Sequence, residues 1–437
     1  MRRRPARFSL LLALFAAIPA TALASGDAHG LGYEVWLILA GMLLAAKMGG
    51  EIAVRLNQPS VLGELCAGII LGNLYVIGIP TFEGAAQLVP VEFLAELGVV
   101  LLLFEVGLES TLTEMKAVAP TSGLVAIIGV VVPMLLGYGA SLSLLPDAPF
   151  SLHLFIGATL CATSVGITAR VLKDLNAMGR PETRVILGAA VIDDVLGLIV
   201  LAVVASIAEF GAVPGPMDLA VIIGLAGGFL LGALLLGAYV MPGVFRLASK
   251  LRTPDVLAAV AIGLCLLLAG ISGAAGLAPI VGAFAAGLIL DEVHVRPFGH
   301  KSAHDLSEII GPIVAIMAPI FFVRTGMMVE LGGIGTGPLL LALALTVVAI
   351  VGKLVSGLGV RGNTIDKLTV GIGMVPRGEV GLIFANVGAG IQFEGEPLIE
   401  AGVYAAIVLM VMATTVVTPP WLAHRIRQVS RRHPDVA

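Results

Sequence analysis

The run Gly188-Ala-Ala-Val-Ile-Asp-Asp-Val-Leu-Gly-Leu-Ile-Val-Leu-Ala-Val-Val204 sets two adjacent aspartates, Asp193 and Asp194, inside an otherwise apolar helix. A carboxylate in hydrocarbon is costly and by default marks an ion or proton pathway. Snorkelling to a helix end does not account for two in a row. The nearest basic flank is Arg184, which is about 14 Å of helix rise from Asp193. That is near the middle of a hydrocarbon core about 30 Å thick. Neighbouring residues point about 100° apart around a helix, so the two carboxylates cannot face one ion equally.

Working outward, composition settles the class. Of 437 residues, 58% are hydrophobic and 12% charged, with a mean hydropathy of +1.05. Soluble domains carry roughly twice that share of charge. The chain reads as an all-α polytopic membrane protein, which sets aside nucleic-acid binding and soluble catalysis. Cys66, Cys161 and Cys265 all fall in apolar spans and read as free, small hydrophobes with no cofactor or metal role. Residues 1–24 read as a signal peptide. Arg2, Arg3, Arg4 and Arg7 form a basic start, Phe8 to Ile18 an apolar stretch too short to span, and Ala22-Leu-Ala24 a small-residue cleavage site.

Thirteen apolar spans follow: 32–54, 60–79, 93–108, 120–145, 152–172, 184–209, 217–242, 254–272, 277–290, 303–329, 336–360, 366–390 and 398–424. With the mature N-terminus outside, thirteen crossings leave residues 426–437 as a short cytoplasmic tail. The positive-inside rule agrees. The segments expected in the cytoplasm hold seventeen of the 25 basic residues, among them Arg170, Lys173, Arg246, Arg361 and Arg425, whereas the outer loops hold only acids such as Glu83, Asp147 and Asp218. Localisation in a bacterial inner membrane is the expectation.

Four basic residues remain inside spans: Lys47, Arg324, Lys353 and Arg377. Lys47 has Glu51 one turn on and lies near a helix end. Arg324 lies near the outer end of its span and calls for snorkelling or a local acid. Lys353 precedes Arg361 by eight residues, which places it about 12 Å from the inner face. This matches the depth of Asp193 and suggests an intramembrane pair. Arg377 and Glu379 belong to Gly371-Ile-Gly-Met-Val-Pro-Arg-Gly-Glu-Val-Gly381. Pro376 donates no backbone hydrogen bond, so this segment reads as a broken helix, with Arg377 satisfying freed carbonyls and pairing with Glu379.

The fifth span offers the matching interruption through Gly157, Thr159, Thr163, Ser164, Gly166 and Thr168, without a proline. Spans four to six and eleven to thirteen lie seven helices apart and therefore run in opposite senses. Each triplet carries its interrupted helix in the middle. That is the pattern of inverted repeats with two crossed broken helices and a binding site at the crossing. No residue-level repeat accompanies it.

Five stretches then resemble a known family. They are Asn57-Gln-Pro-Ser-Val-Leu-Gly-Glu-Leu-Cys-Ala-Gly-Ile-Ile-Leu-Gly72, Glu96-Leu-Gly-Val-Val-Leu-Leu-Leu-Phe-Glu-Val-Gly-Leu-Glu109, Ala162-Thr-Ser-Val-Gly-Ile-Thr-Ala-Arg-Val-Leu172, the Asp-Asp run, and Val375-Pro-Arg-Gly-Glu-Val-Gly-Leu-Ile-Phe384. Together they are similar to the monovalent cation:proton antiporter superfamily, in its branch of bacterial sodium/proton antiporters. The resemblance implies a transporter domain over 32–425, with mobile core helices at about 120–209 and 336–424 and the remaining helices forming a homodimer scaffold. It implies Asp194 as the carboxylate for sodium and proton, Asp193 as partner of Lys353, and Thr163 and Ser164 beside the ion. It also implies electrogenic exchange. Glu105 departs from the pattern, standing where many relatives carry an apolar residue.

Elementary chemistry agrees with the likeness. Sodium is a hard cation that takes oxygen ligands, and a carboxylate, hydroxyls and freed carbonyls supply them. Proton and cation then compete for one charge, the minimal requirement for obligate exchange. A potassium/proton antiporter of the same fold is the nearest rival, because cavity geometry sets size selectivity. A proton-coupled transporter of organic solutes is a further alternative. An intramembrane aspartyl protease needs two carboxylates converging on one proton, which adjacent residues of one helix do not provide, so the chain reads as a carrier and no enzyme.

Overall fold

The computed structural model describes residues 32–109, 112–210, 215–248, 250–251, 256–290, 303–329, 335–362, 365–393 and 396–432. The expected signal, residues 1–24, lies outside them. The described chain is helical apart from a ribbon of two two-residue strands, Gln392–Phe393 and Glu396–Pro397. Its helices are α1 (Tyr33–Arg55), α2 (Ser60–Gly72), α3 (Val89–Leu108), α4 (Leu112–Leu144), α5 (Phe150–Thr159), α6 (Val165–Asp174), α7 (Pro181–Phe210), α8 (Pro216–Leu235), α9 (Met241–Ala248), α10 (Val256–Ala274), α11 (Pro279–Ile289), α12 (Ala303–Met327), α13 (Thr336–Ser356), α14 (Lys367–Gly373), α15 (Glu379–Gly390) and α16 (Ala401–Arg432). A π-helical turn, Leu236–Val240, joins α8 to α9. Seven described helices are long and apolar enough to cross a membrane, since about 20 apolar residues span the hydrocarbon. The protein is therefore polytopic. α16 continues as helix through Arg432, so much of the expected tail is helical.

The chain forms two compact units. The first takes in the chain up to Gly98 together with Ile316–Gly333. Within it α1 and α2 pack backbone to backbone where Gly49 meets Gly63, an approach that leaves no room for a Cβ on either side. Arg324 donates from Nη2 to Glu92 at 2.6 Å and from Nε to the Ala86 carbonyl at 2.8 Å. The local acid expected for Arg324 is thus Glu92, supplied by the start of α3.

The second unit, Val99–Ala315 and Ile334–Ala437, contains both helix triplets. It holds a buried cluster of Val125 and Ala126 (α4), Val185, Ile186 and Ala189 (α7), and Val360, Val370 and Met374 beside and within α14. Full burial of side chains of this size contributes about 1.5–3 kcal/mol each for the largest of them, so α4, α7 and α14 are held as one packed body. α4 packs along α13 and along α7. Ser122 of α4 donates to the Val185 carbonyl at 3.2 Å, and Gly188 sits against the same hydroxyl. The two triplets pack on each other: α6 touches both α7 and α16, and α15 touches both α16 and α7.

Candidate functional site

Both central helices of the triplets are interrupted. α5 ends at Thr159 and α6 begins at Val165. The end of α5 tightens, with Leu160 and Cys161 N–H groups turning back to the Gly157 and Ala158 carbonyls at 3.1 and 2.9 Å. The second break has a plainer cause. Pro376 lacks an N–H and disfavours helical backbone at Val375, so α14 stops at Gly373 and α15 starts at Glu379.

The two extended segments satisfy one another, as irregular backbone buried in protein must. Ser164 N–H donates to the Pro376 carbonyl at 2.9 Å. Thr168 Oγ1 donates to the Gly373 carbonyl at 2.7 Å, and Thr163 Oγ1 reaches the Met374 carbonyl at 3.4 Å. Gly378 passes so close to Ser164 that a Cβ there would lie 2.5 Å from its Oγ, hence a glycine. Arg377, fully buried, donates from Nη1 to the Ala162 carbonyl at 2.7 Å, which is a carbonyl freed by the other break. Its own backbone is held by α16. Thr414 Oγ1 accepts from the Arg377 N–H at 3.3 Å, and Thr415 Oγ1 donates to the Arg377 carbonyl. The expected pairing with Glu379 falls on a side chain outside the described residues.

Asp193 and Asp194 diverge from α7. Asp193 is buried, and Lys353 Nζ on α13 lies 3.1 Å from its Oδ1 and 3.3 Å from its Oδ2. Gly129 of α4 lies beside it, with Nζ 3.4 Å from where a Cβ would stand. The pair is therefore sealed between α4, α7 and α13. Asp194 is half-buried and lines a small cavity of about 10 Å³ with Leu103, Val165, Ile280 and Phe284. That volume is near the lower limit for one water. Val165 opens α6, so the cavity lies beside one helix break.

Such a site offers one compensated carboxylate, a second carboxylate facing a cavity, and two crossed chain breaks lined by hydroxyls and carbonyls. A family model described as "Sodium/hydrogen exchanger, transmembrane" matches residues 41–425. The chain belongs to the sodium/hydrogen exchanger family. This exchanger is 38% identical to the high-affinity Na(+)/H(+) antiporter NhaS3 of Synechocystis sp., over 88% of its own length and 90% of the relative's. It is 35% identical to the Na(+)/H(+)-K(+) antiporter GerN of Bacillus cereus, over 90% and 96% of the two chains. A Na(+)/H(+) antiporter of Enterococcus hirae is 30% identical over 90% and 98%. Among solved structures, the sodium proton antiporter MjNhaP1 of Methanocaldococcus jannaschii superposes with a TM-score of 0.62 at 17% identity, covering 91% of the exchanger and 98% of that chain. At that identity the likeness concerns the fold.

Sequence reasoning passed over the α16 threonines and the network around Asp366. Asp366 caps α14 and accepts two hydrogen bonds from Arg425, at 2.7 and 3.0 Å. Its N–H donates to Glu182 of α7 at 3.1 Å, and Glu182 also pairs with Arg180. The run Thr414-Thr415-Val-Val-Thr418 inside an apolar span was the available signal for the threonines.

Proposed function

We propose that this exchanger trades sodium for protons by alternating access, with Asp194 taking cation and proton in turn. The observation that carries the reading is the divergence of the two aspartates. Lys353 neutralises Asp193, while Asp194 turns to the cavity beside the break that precedes α6. Sodium on Asp194 would draw further oxygens from Thr163, Ser164 and the carbonyls of the breaks. Arg377 holds the crossing together and leaves the cation to the carboxylate.

Charge accounting sets the stoichiometry of this reading. In the proton-loaded state Asp194 is neutral and the Asp193–Lys353 pair sums to zero. In the sodium-loaded state Lys353 gives up its proton as the cation disrupts the pair, leaving two carboxylates and one sodium, net −1. Each cycle then exchanges two protons for one sodium.

Taken as units, α1, α2, α3, α4, the interrupted α5–α6, α7, α8–α9, α10, α11, α12, α13, the interrupted α14–α15 and α16 make thirteen crossings. The packing of the two triplets on each other, each with its middle helix interrupted, supports inverted repeats around the site. Basic residues then fall in the cytoplasm with the C-terminus, and the mature N-terminus lies outside a bacterial inner membrane. Gly224, Gly227, Gly228 and Gly232 are exposed on α8, with no described atom within 4 Å of an added Cβ. Such a face suits close approach of a second copy, which supports a homodimer. A potassium/proton cycle is the second reading, favoured by the likeness to the Na(+)/H(+)-K(+) antiporter of Bacillus cereus. Fluorescence dequenching in everted vesicles, with sodium, lithium and potassium added in turn, separates them. Sodium and lithium are expected to release the quench at concentrations where potassium does not; potassium alone doing so would overturn the sodium reading.

A further inference from the structure

Glu105 has no part in that exchange cycle, yet it is buried in α3 at 3% exposure. Its carboxylate forms an ion pair with Lys173 Nζ in the last turn of α6, and Lys173 lies 3.5 Å from Glu109, just past the end of α3. The Lys173 side chain is a quarter exposed and that of Glu105 only 5%. Gly311 of α12 closes the far side, where a Cβ would stand 3.1 Å from Glu105 Oε1. At the other end of α6, Gly166 abuts Val99 and Leu103 of α3. α6 therefore lies along α3 with apolar contact near the helix break and charge at its cytoplasmic end. The other charges of that end of α6, Arg170 and Asp174, pair with each other at 3.1 Å.

We infer that Glu105 and Lys173 form a latch between a moving and a stationary helix, biasing the exchanger toward the arrangement seen here. The inference rests on the reading in which the two triplets travel as one body. α6 belongs to the first triplet and α3 to neither, so the pair bridges the sliding boundary. A carboxylate this buried is costly to leave without its cation. Movement of α6 along α3 must therefore break the pair, and either re-pair Glu105 or expose it. Lys173, at the rim, is free to follow Glu109 or turn to water. The pair resists departure from one state and adds nothing to the other, and such a difference is what shifts a two-state population.

The test uses the full chain without its three native cysteines, carrying Val99→Cys and Gly166→Cys. The first substitution removes the methyl that the second would crowd. Oxidation should join α3 to α6 in the present arrangement, and the joined protein should lose sodium-driven proton movement until reduced. Adding Glu105→Gln should slow cross-linking by about twofold to tenfold, and the exchanged pair Glu105→Lys with Lys173→Glu should restore it. Glu109→Gln should have a smaller effect. Parental cross-linking rates in both Glu105→Gln and Lys173→Gln would overturn the latch. Should Glu105→Gln fail to assemble, Lys173→Gln, at the rim, carries the same comparison. Undiminished exchange by the oxidised protein would instead overturn the moving-triplet reading, which keeps the two failures apart.

Discussion

A single substitution separates the roles of the paired aspartates. Asp194→Asn keeps the volume and removes the charge that faces the cavity, so exchange should be abolished with membrane expression intact. Sodium-driven proton movement near the parental rate in that variant would sink the assignment. Lys353→Met tests the other carboxylate through stability. It strands Asp193 at 1% exposure without its cation, and breaking a buried pair costs about 3–5 kcal/mol. The detergent-solubilised variant should unfold at a clearly lower temperature. Adding Asp193→Asn should recover most of the loss, because replacing both partners removes the uncompensated charge. A melting temperature unchanged in the single variant would mean that the pair contributes little to holding α7 on α13.

Among the elements, the interrupted helices show what one sequence discloses and what it hides. The break after Gly373 was legible because Pro376 forbids helix by geometry. The break at 160–164 carries no proline, and threonine and serine in a membrane helix can equally bond their own carbonyls. Its position in the mirrored triplet made it legible. The pairing of Asp193 with Lys353 could be read from matching depth. The ties from Thr414 and Thr415 to the Arg377 backbone could not, since they join positions 37 and 38 residues apart through a break whose path is set by tertiary packing. The same holds for Lys173 and Glu105. These ties predict an intolerant crossing. Gly378→Ala brings a methyl into Ser164 and should cost about 1–3 kcal/mol of stability as an overpacked core does. Transport should fall with it, measured as initial dequenching rate against expression level. Near-parental rates would mean that the break has slack the distances deny.

For the molecule as a whole, the buried cluster of the second unit and the Asp366–Arg425–Glu182 network join α7, α14 and α16. A body tied in this way is suited to travel intact. Cysteine at Val195, on α7 beside the aspartates, should change its reactivity toward water-soluble thiol reagents between sodium-loaded and proton-loaded conditions. Cysteine at Leu225, exposed on α8, should not. The measurement belongs in a transport-competent background without Cys66, Cys161 and Cys265. Equal and constant labelling at both positions would favour a local gate over bodily movement.

The sealed Asp193–Lys353 pair also bears on how steep a gradient the cell can hold. If the lysine proton leaves in each cycle, one net charge crosses with every sodium expelled. An inside-negative potential of 100 mV is worth about 2.3 kcal/mol per charge, and this corresponds to about 40-fold in a concentration ratio at 1.4 kcal/mol per decade. The exchanger would then go on exporting sodium where the proton concentrations on the two sides are equal, drawing on the electrical component alone. In proteoliposomes with equal pH on both sides, a valinomycin-imposed potential should by itself drive sodium against its gradient, and Lys353→Met should lose that response. Uptake indifferent to the imposed potential in the parental protein would mean that one proton, not two, returns for each sodium.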